Sequence, residues 1–181
     1  TYSVVTDTAT GAAGLQYVFD AALDERAAVE ATVANLTNHF YVNLAPGATL
    51  GGRGGVTNHV LWLAAEHYLP LDKQQLPTGA IAPVDDVMSF STLRRVGERI
   101  RDVDGGVGYD HYFVLDGRCD EKRGAMRKVA VLRSPESGRA MTVYTTQPGA
   151  VLYTANWIEG ICGKDSVVYH NWDGLCLETQ G

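Results

Sequence analysis

Short apolar runs broken every few residues by glycine and proline constrain this chain more than any other feature. Tyr2–Thr6, Leu15–Ala22, Asn58–Glu66, Tyr109–Leu115, Lys128–Ser134, Ala140–Thr146, Val151–Trp157 and Leu175–Thr179 each read as a strand, with β-branched and aromatic residues between turn signals. Gly11–Gly14 and Asp104–Gly108 are turns, and Pro135-Glu136-Ser137-Gly138 closes a hairpin. Helical periodicity is almost absent. Its best instance is Ser91–Ile100, where Leu93, Val96, Gly97 and Ile100 share a helical spacing. His67 to Val84 holds three of the six prolines and is expected to cross a sheet edge in extended form. Such a pattern predicts an all-β chain, a sandwich or barrel of antiparallel strands. At 181 residues one domain spanning residues 1–181 is expected.

One stretch is too polar for a plain core strand. Ala28–Thr37 runs into Asn35-Leu36-Thr37-Asn38-His39-Phe40-Tyr41-Val42-Asn43-Leu44, ended by Ala45-Pro46-Gly47. Alternation puts Asn35, Thr37, His39, Tyr41 and Asn43 on one face of a strand and Leu36, Asn38, Phe40, Val42 and Leu44 on the other. The first row can floor a cleft for a polar ligand. Read alone, His39 is more readily a core histidine satisfied by neighbouring amides than a catalytic group.

Several function classes are disfavoured. A net charge of −6 opposes sequence-independent nucleic-acid binding, which needs a basic face. No apolar run approaches the length of a membrane helix, so no membrane partner is expected. Cys119, Cys162 and Cys176 are odd in number and widely spaced. They suit a reducing compartment, hence a cytoplasmic location, better than a disulfide framework. The histidines form no HExxH or HxH pair. In Asp110-His111 and Glu66-His67 the adjacent residues face opposite ways on a strand. Only a metal site assembled from distant strands is left open. There is no GxSxG, and Gly51–Gly55 and Gly105-Gly106 do not follow a phosphate-loop pattern. Arg94, Arg95, Arg99 and Arg101 form the one dense basic run, read as a solvated surface.

General acid–base chemistry remains. It needs a proton donor and an acceptor on opposite sides of a reacting bond. The candidates are His39, Asp110 and Glu178. Asp110 opens a strand after a flexible turn, and Glu178 interrupts the apolar run Leu175-Cys176-Leu177. Glu178 is either an outward-facing strand residue or one buried for a purpose. If buried, desolvation raises its pKa towards the range useful for a base.

The ordered motifs resemble one family. Leu36-Thr37-Asn38-His39-Phe40-Tyr41-Val42-Asn43-Leu44 is similar to the Leu-Thr-Asn-His-x-Tyr-x-Asn-Leu signature of galactose mutarotases, or aldose 1-epimerases. Tyr68-Leu69-Pro70, Leu76-Pro77-Thr78-Gly79, Tyr109-Asp110-His111, Val143-Tyr144-Thr145-Thr146-Gln147-Pro148-Gly149 and Cys176-Leu177-Glu178-Thr179-Gln180 resemble later elements of the family, in the family's order. The resemblance implies a large antiparallel β-sandwich, the mutarotase supersandwich, and interconversion of the α and β anomers of hexoses such as galactose and glucose. It casts His39 as general acid to the ring oxygen, Glu178 as general base to the anomeric hydroxyl, and Asp110 as a sugar-binding carboxylate. It implies an aromatic face towards the sugar, and no metal or organic cofactor.

There are departures. The family's Arg and His-Gly-Gly motifs are not found, and Gly52-Arg53-Gly54 lies on the wrong side of His39 to replace them. Tyr112 stands where an Asn is usual, and Val151 where the family has a substrate-contacting Gln. The sandwich is therefore expected to be incomplete at both ends, or covered by another chain. A non-catalytic structural or carbohydrate-binding subunit of a larger assembly is the alternative function.

Overall fold

A computed structural model describes residues 1–8, 10–26, 28–45, 55–116, 125–163 and 166–181. Cys119 and most of the Gly51–Gly55 loop lie outside these residues. The chain divides into two compact units, Thr1–Thr37 and Asn38–Gly181.

The first unit is a hairpin and its continuation. β1 (Tyr2–Thr6) and β2 (Ala13–Tyr17) pair antiparallel across the expected turn, where Gly11 adopts a positive φ of 70°. Tyr2 and Tyr17 are a cross-strand pair, with rings 5.6 Å apart at near right angles. β2 ends at Tyr17 instead of reaching Ala22, and the described part of Ala28–Thr37 forms no strand.

The second unit holds the remaining strands, in chain order β3 (Val60–Leu63), β4 (Ala65–Tyr68), β5 (Ala82–Pro83), β6 (Arg94–Arg95), β7 (Asp110–Leu115), β8 (Arg127–Arg133), β9 (Ala140–Thr145), β10 (Gly149–Tyr153), β11 (Ile161–Cys162), β12 (Val168–Tyr169) and β13 (Cys176–Gln180). They build a five-stranded sheet ordered β13-β10-β7-β4-β5, a four-stranded sheet ordered β6-β3-β8-β9, and the pair β11-β12. Among the described residues these strands pair antiparallel throughout. Leu61 and Leu63 of β3, Val129 and Leu132 of β8, Phe113 and Leu115 of β7, Leu152 of β10 and Leu177 of β13 belong to one buried cluster. Both larger sheets thus contribute to a single core, as in a sandwich.

The run expected as one strand, Asn58–Glu66, is two. At Ala64 the chain leaves the four-stranded sheet for the five-stranded one: Ala64 N–H donates to Val129 O, while Ala64 O accepts from Asp116 N–H. Leu61, Leu63 and Ala65 are buried on alternate residues straight through the corner, so periodicity could not reveal it. The expected helix at Ser91–Ile100 is absent. Arg94 and Arg95 pair with β3 as β6, and Val96–Glu98 make one 3-10 turn. Tertiary pairing overrides the local spacing, and a side chain at Gly97 would meet Thr57 Cβ at 2.7 Å. The basic run is part surface and part paired: Arg95 and Arg101 are exposed, whereas Arg94 and Arg99, with side chains 19% and 23% exposed, both pair with Asp86.

The expected edge crossing is present. β5 adds to β4 at the sheet margin with Pro83 opposite His67, where a missing N–H is tolerated. No helix of the described residues is long and apolar enough to cross a membrane.

Candidate active site

The register of three strands assembles the site. On β13, β10 and β7, Glu178 lies opposite Val151, and Val151 opposite Tyr112. Two residues along, Cys176 lies opposite Tyr153, and Tyr153 opposite Asp110. Directly opposed and alternate residues share a face. So Cys176, Glu178, Tyr153, Val151, Asp110 and Tyr112 line one face, while Leu177, Leu152 and Phe113 enter the core from the other. β13 and β7 flank β10, which spaces the two carboxylate-bearing strands roughly 10 Å apart. His111, adjacent to Asp110, points the other way; it is buried and 3.4 Å from Asp104.

The segment carrying His39 is not the regular strand its alternation suggests. A single bridge ties it to the sheet: Val42 N–H donates to Leu175 O, and Leu175 N–H to Val42 O. Side-chain amides take up neighbouring carbonyls, Asn38 that of Leu177 and Asn43 that of Asp173. Asparagine amides compete with a backbone ladder in this way. Val42 and Leu44 still pack on the core, and His39 and Tyr41 still share a side, with rings 5.1 Å apart. Phe40, expected inward, is 42% exposed.

The bridge brings His39 over the start of β13. Its Nε2 lies 3.2 Å from Glu178 Oε1, and its Nδ1 lies 3.4 Å from Cys176 Sγ. The His39 side chain is 55% exposed and that of Glu178 11%. Tyr153 meets His39 edge-on at 6.0 Å and Tyr41 at 6.1 Å. Of the three predicted residues, then, His39 and Glu178 touch. Asp110 lies two strands from Glu178, close enough for their charges to interact. Of the two readings of Glu178, the buried one holds.

The electrostatics follow from that burial. The Glu178 carboxyl sits above the ordinary carboxylate range because it is desolvated; His39 opposes the shift and the Asp110 charge adds to it. Asp110 is also raised, again chiefly by burial. The Cys176 thiol is pushed up to about 12 by burial and by the two carboxylates, so it keeps its proton at neutral pH. Its Sγ lies beside Nδ1 of His39, whose Nε2 faces Glu178.

Cys176 and Tyr153 are the contacts that sequence reasoning missed. Cys176 was legible in principle, since it is two residues from Glu178 on a strand and must share its face. Tyr153 was not, because its place depends on the β10–β13 register. A separate cavity of about 370 Å³, lined by Ala45, His59, Arg95, Ser134 and Glu136 among others, contains none of the predicted groups. His59 there is a core histidine: burial lowers its pKa, and its Nε2 accepts from Leu44 N–H.

Residues 11–181 match the family model described as aldose 1-epimerase. Galactose mutarotase of Mus musculus is 41% identical over 156 residues, covering 84% of this chain and 42% of the relative. Aldose 1-epimerase of Escherichia coli K12 is 32% identical over 150 residues, covering 81% and 41%. Among solved structures, the GalM/aldose epimerase homologue from C. elegans superposes with a TM-score of 0.65 at 26% identity, covering 81% of this chain and 41% of that one. Galactose 1-epimerase from Lactobacillus acidophilus gives 0.62 at 27% identity, covering 81% and 40%. The chain spans about 42% of the length of the mouse relative.

Proposed function

This chain belongs to the aldose 1-epimerase family, and from that premise we propose that it interconverts the α and β anomers of hexoses such as galactose and glucose. The observation that carries the proposal is the contact of 3.2 Å between His39 Nε2 and Glu178 Oε1. A proton donor and a proton acceptor stand at one place, above a sheet face that also holds a second carboxylate.

The chemistry requires two proton transfers. Glu178, as carboxylate, takes the proton of the anomeric hydroxyl, and protonated His39 gives one to the ring oxygen. The bond between C1 and the ring oxygen breaks, leaving an open-chain aldehyde and a C5 hydroxyl. After rotation about the C1–C2 bond, His39 recovers a proton from that hydroxyl as it attacks C1, and Glu178 returns its proton to the aldehyde oxygen. The enzyme ends as it began. In the free protein the two groups face each other; the sugar enters by parting them, so that its two oxygens replace the direct contact.

A raised carboxyl pKa makes Glu178 a stronger base than an exposed glutamate. Asp110 is suited to accept hydrogen bonds from sugar hydroxyls across β10. Tyr41 and Tyr153 supply the aromatic walls. The reading needs neither metal nor organic cofactor, and it includes a cytoplasmic location, supported by the free thiols of Cys162 and Cys176.

Polarimetry on freshly dissolved α-D-galactose or α-D-glucose tests it. Acceleration of mutarotation is expected, lost in Glu178→Gln and in His39→Asn. No acceleration by the protein, or acceleration that survives both substitutions, refutes the proposal.

A further inference from the structure

Three groups of different ligand chemistry converge at His39. Its Nδ1 is 3.4 Å from Cys176 Sγ, its Nε2 is 3.2 Å from Glu178 Oε1, and the His39, Cys176 and Glu178 ligand atoms all lie within 4.8 Å of one another. We propose that these three side chains form a binding site for a thiophilic divalent cation of the zinc class, and that the ion, once bound, blocks the proton-transfer pair. The metal site follows from the geometry; the inhibition rests on the function proposed above.

Ligand type and spacing both fit. Zinc accepts thiolate sulfur at about 2.3 Å and imidazole nitrogen or carboxylate oxygen at about 2.0–2.2 Å, in tetrahedral geometry. Those bonds place a sulfur and a nitrogen ligand about 3.5 Å apart, and a nitrogen and an oxygen ligand about 3.4 Å apart. The Cys176–His39 separation of 3.4 Å already matches the first. One ion can take only one nitrogen of a ring. Nδ1 is the one that faces the sulfur, so the carboxylate of Glu178 turns from Nε2 to the ion. The mixed set of sulfur, nitrogen and carboxylate oxygen favours zinc-like ions over magnesium or calcium, which want oxygen alone.

The surroundings suit a cation. Cys176 and Glu178 are buried at the floor, while His39 is half exposed and leaves one side open for entry and for a fourth, water ligand. A thiolate and a carboxylate together neutralise a divalent charge, and Asp110 adds a negative field that reaches both. Binding displaces the thiol proton, which leaves to solvent; no other bond is broken. Three protein ligands with an open position is the arrangement of catalytic zinc sites. Here two of the three ligands are the groups the sugar reaction needs, so the ion excludes the reaction instead of promoting it.

The test uses cobalt(II) as the probe on the whole chain. A near-ultraviolet thiolate-to-cobalt absorption with a visible band of tetrahedral type is expected, displaced by zinc(II). Cys176→Ser should abolish the thiolate band and weaken cobalt binding by at least the 10- to 100-fold that loss of an outer contact to a metal ligand costs. His39→Asn should weaken it likewise, whereas Cys162→Ser and Cys119→Ser should keep the band. Circular dichroism identifies any variant that has lost its fold, and should Cys176→Ser be one, a band kept in the Cys119→Ser, Cys162→Ser double variant assigns it to Cys176, the one thiol left. No thiolate band in the wild type, or a band that persists in Cys176→Ser, overturns the site. Zinc should also suppress mutarotation, with recovery on adding a chelator. A catalytically active chain that binds zinc without inhibition overturns the blocking claim. An inactive chain that shows the band leaves the metal site standing and refutes the proposed function alone.

Discussion

Replacing Glu178 by glutamine separates chemistry from stability. The amide keeps the shape of the side chain and removes its charge and basicity. Loss of a general base lowers rates by about 10²–10⁴-fold, which is about 3–5 kcal/mol of transition-state stabilisation at 1.36 kcal/mol per factor of ten. The stability change runs the other way. The folded-state pKa of Glu178 is raised above its ordinary value. A raised carboxyl contributes stability that is fully present below the unfolded pKa and is lost as pH rises through the folded pKa. At neutral pH the buried carboxylate is therefore a net liability, and Glu178→Gln should melt at the same temperature as the wild type or higher. That advantage should fade on acidification, as the wild-type carboxyl protonates. Polarimetry for rate and a thermal scan at neutral and acid pH make the pair of measurements. The acid limb of the wild-type rate should lie above the ordinary carboxylate range and be missing from the residual rate of the variant. A variant within tenfold of wild-type activity, or one whose activity loss comes with a clear fall in melting temperature at neutral pH, refutes the reasoning.

Three further substitutions probe the same face. Asp110→Asn removes a charge that raises Glu178, so the acid limb of the rate profile should move to lower pH while KM for the hexose rises; an unmoved limb would show that the two carboxylates do not communicate. Gly149→Ala would put a Cβ 2.0 Å from Tyr112 Cζ, an overpacking worth about 1–3 kcal/mol, seen as a lower urea midpoint that Tyr112→Ala in the same chain largely restores. Val151→Gln places an amide between Glu178 and Tyr112 in the register; one new hydrogen bond of about 1 kcal/mol should lower KM about fivefold, and an unchanged KM would mean that the sugar does not reach Val151.

Local chemistry wrote much of this molecule openly. Gly11 and Pro135–Gly138 mark their hairpins because each turn is decided by a few adjacent residues, and β7, β8, β9 and β13 begin or end within a residue or two of where β-branched and aromatic runs place them. The all-β class and the order of the family's motifs were likewise carried by short segments. Three things were not local. The corner at Ala64 is invisible because burial alternates unbroken through it. The Ser91–Ile100 spacing imitates a helix because Val96 and Ile100 reach the core from a 3-10 turn and the turn that follows it. The Asn35–Leu44 stretch reads as a strand, yet a strand exists only if a partner supplies a ladder, and among the described residues it has an isolated bridge to Leu175 instead.

The candidate site divides along the same line. Residue types and alternation were enough to single out His39, Asp110 and Glu178 and to put Cys176 on the Glu178 face. That His39 stands between Glu178 and Cys176 depends on contacts 139 and 137 residues apart in the chain, drawn together by the Val42–Leu175 bridge and by Asn38 on Leu177. The chain's own residues thus offered candidates, and the family resemblance gave them the roles of donor and acceptor. Only strand register, which sums many weak long-range pairings, decided that they meet and that a buried thiol waits beside them.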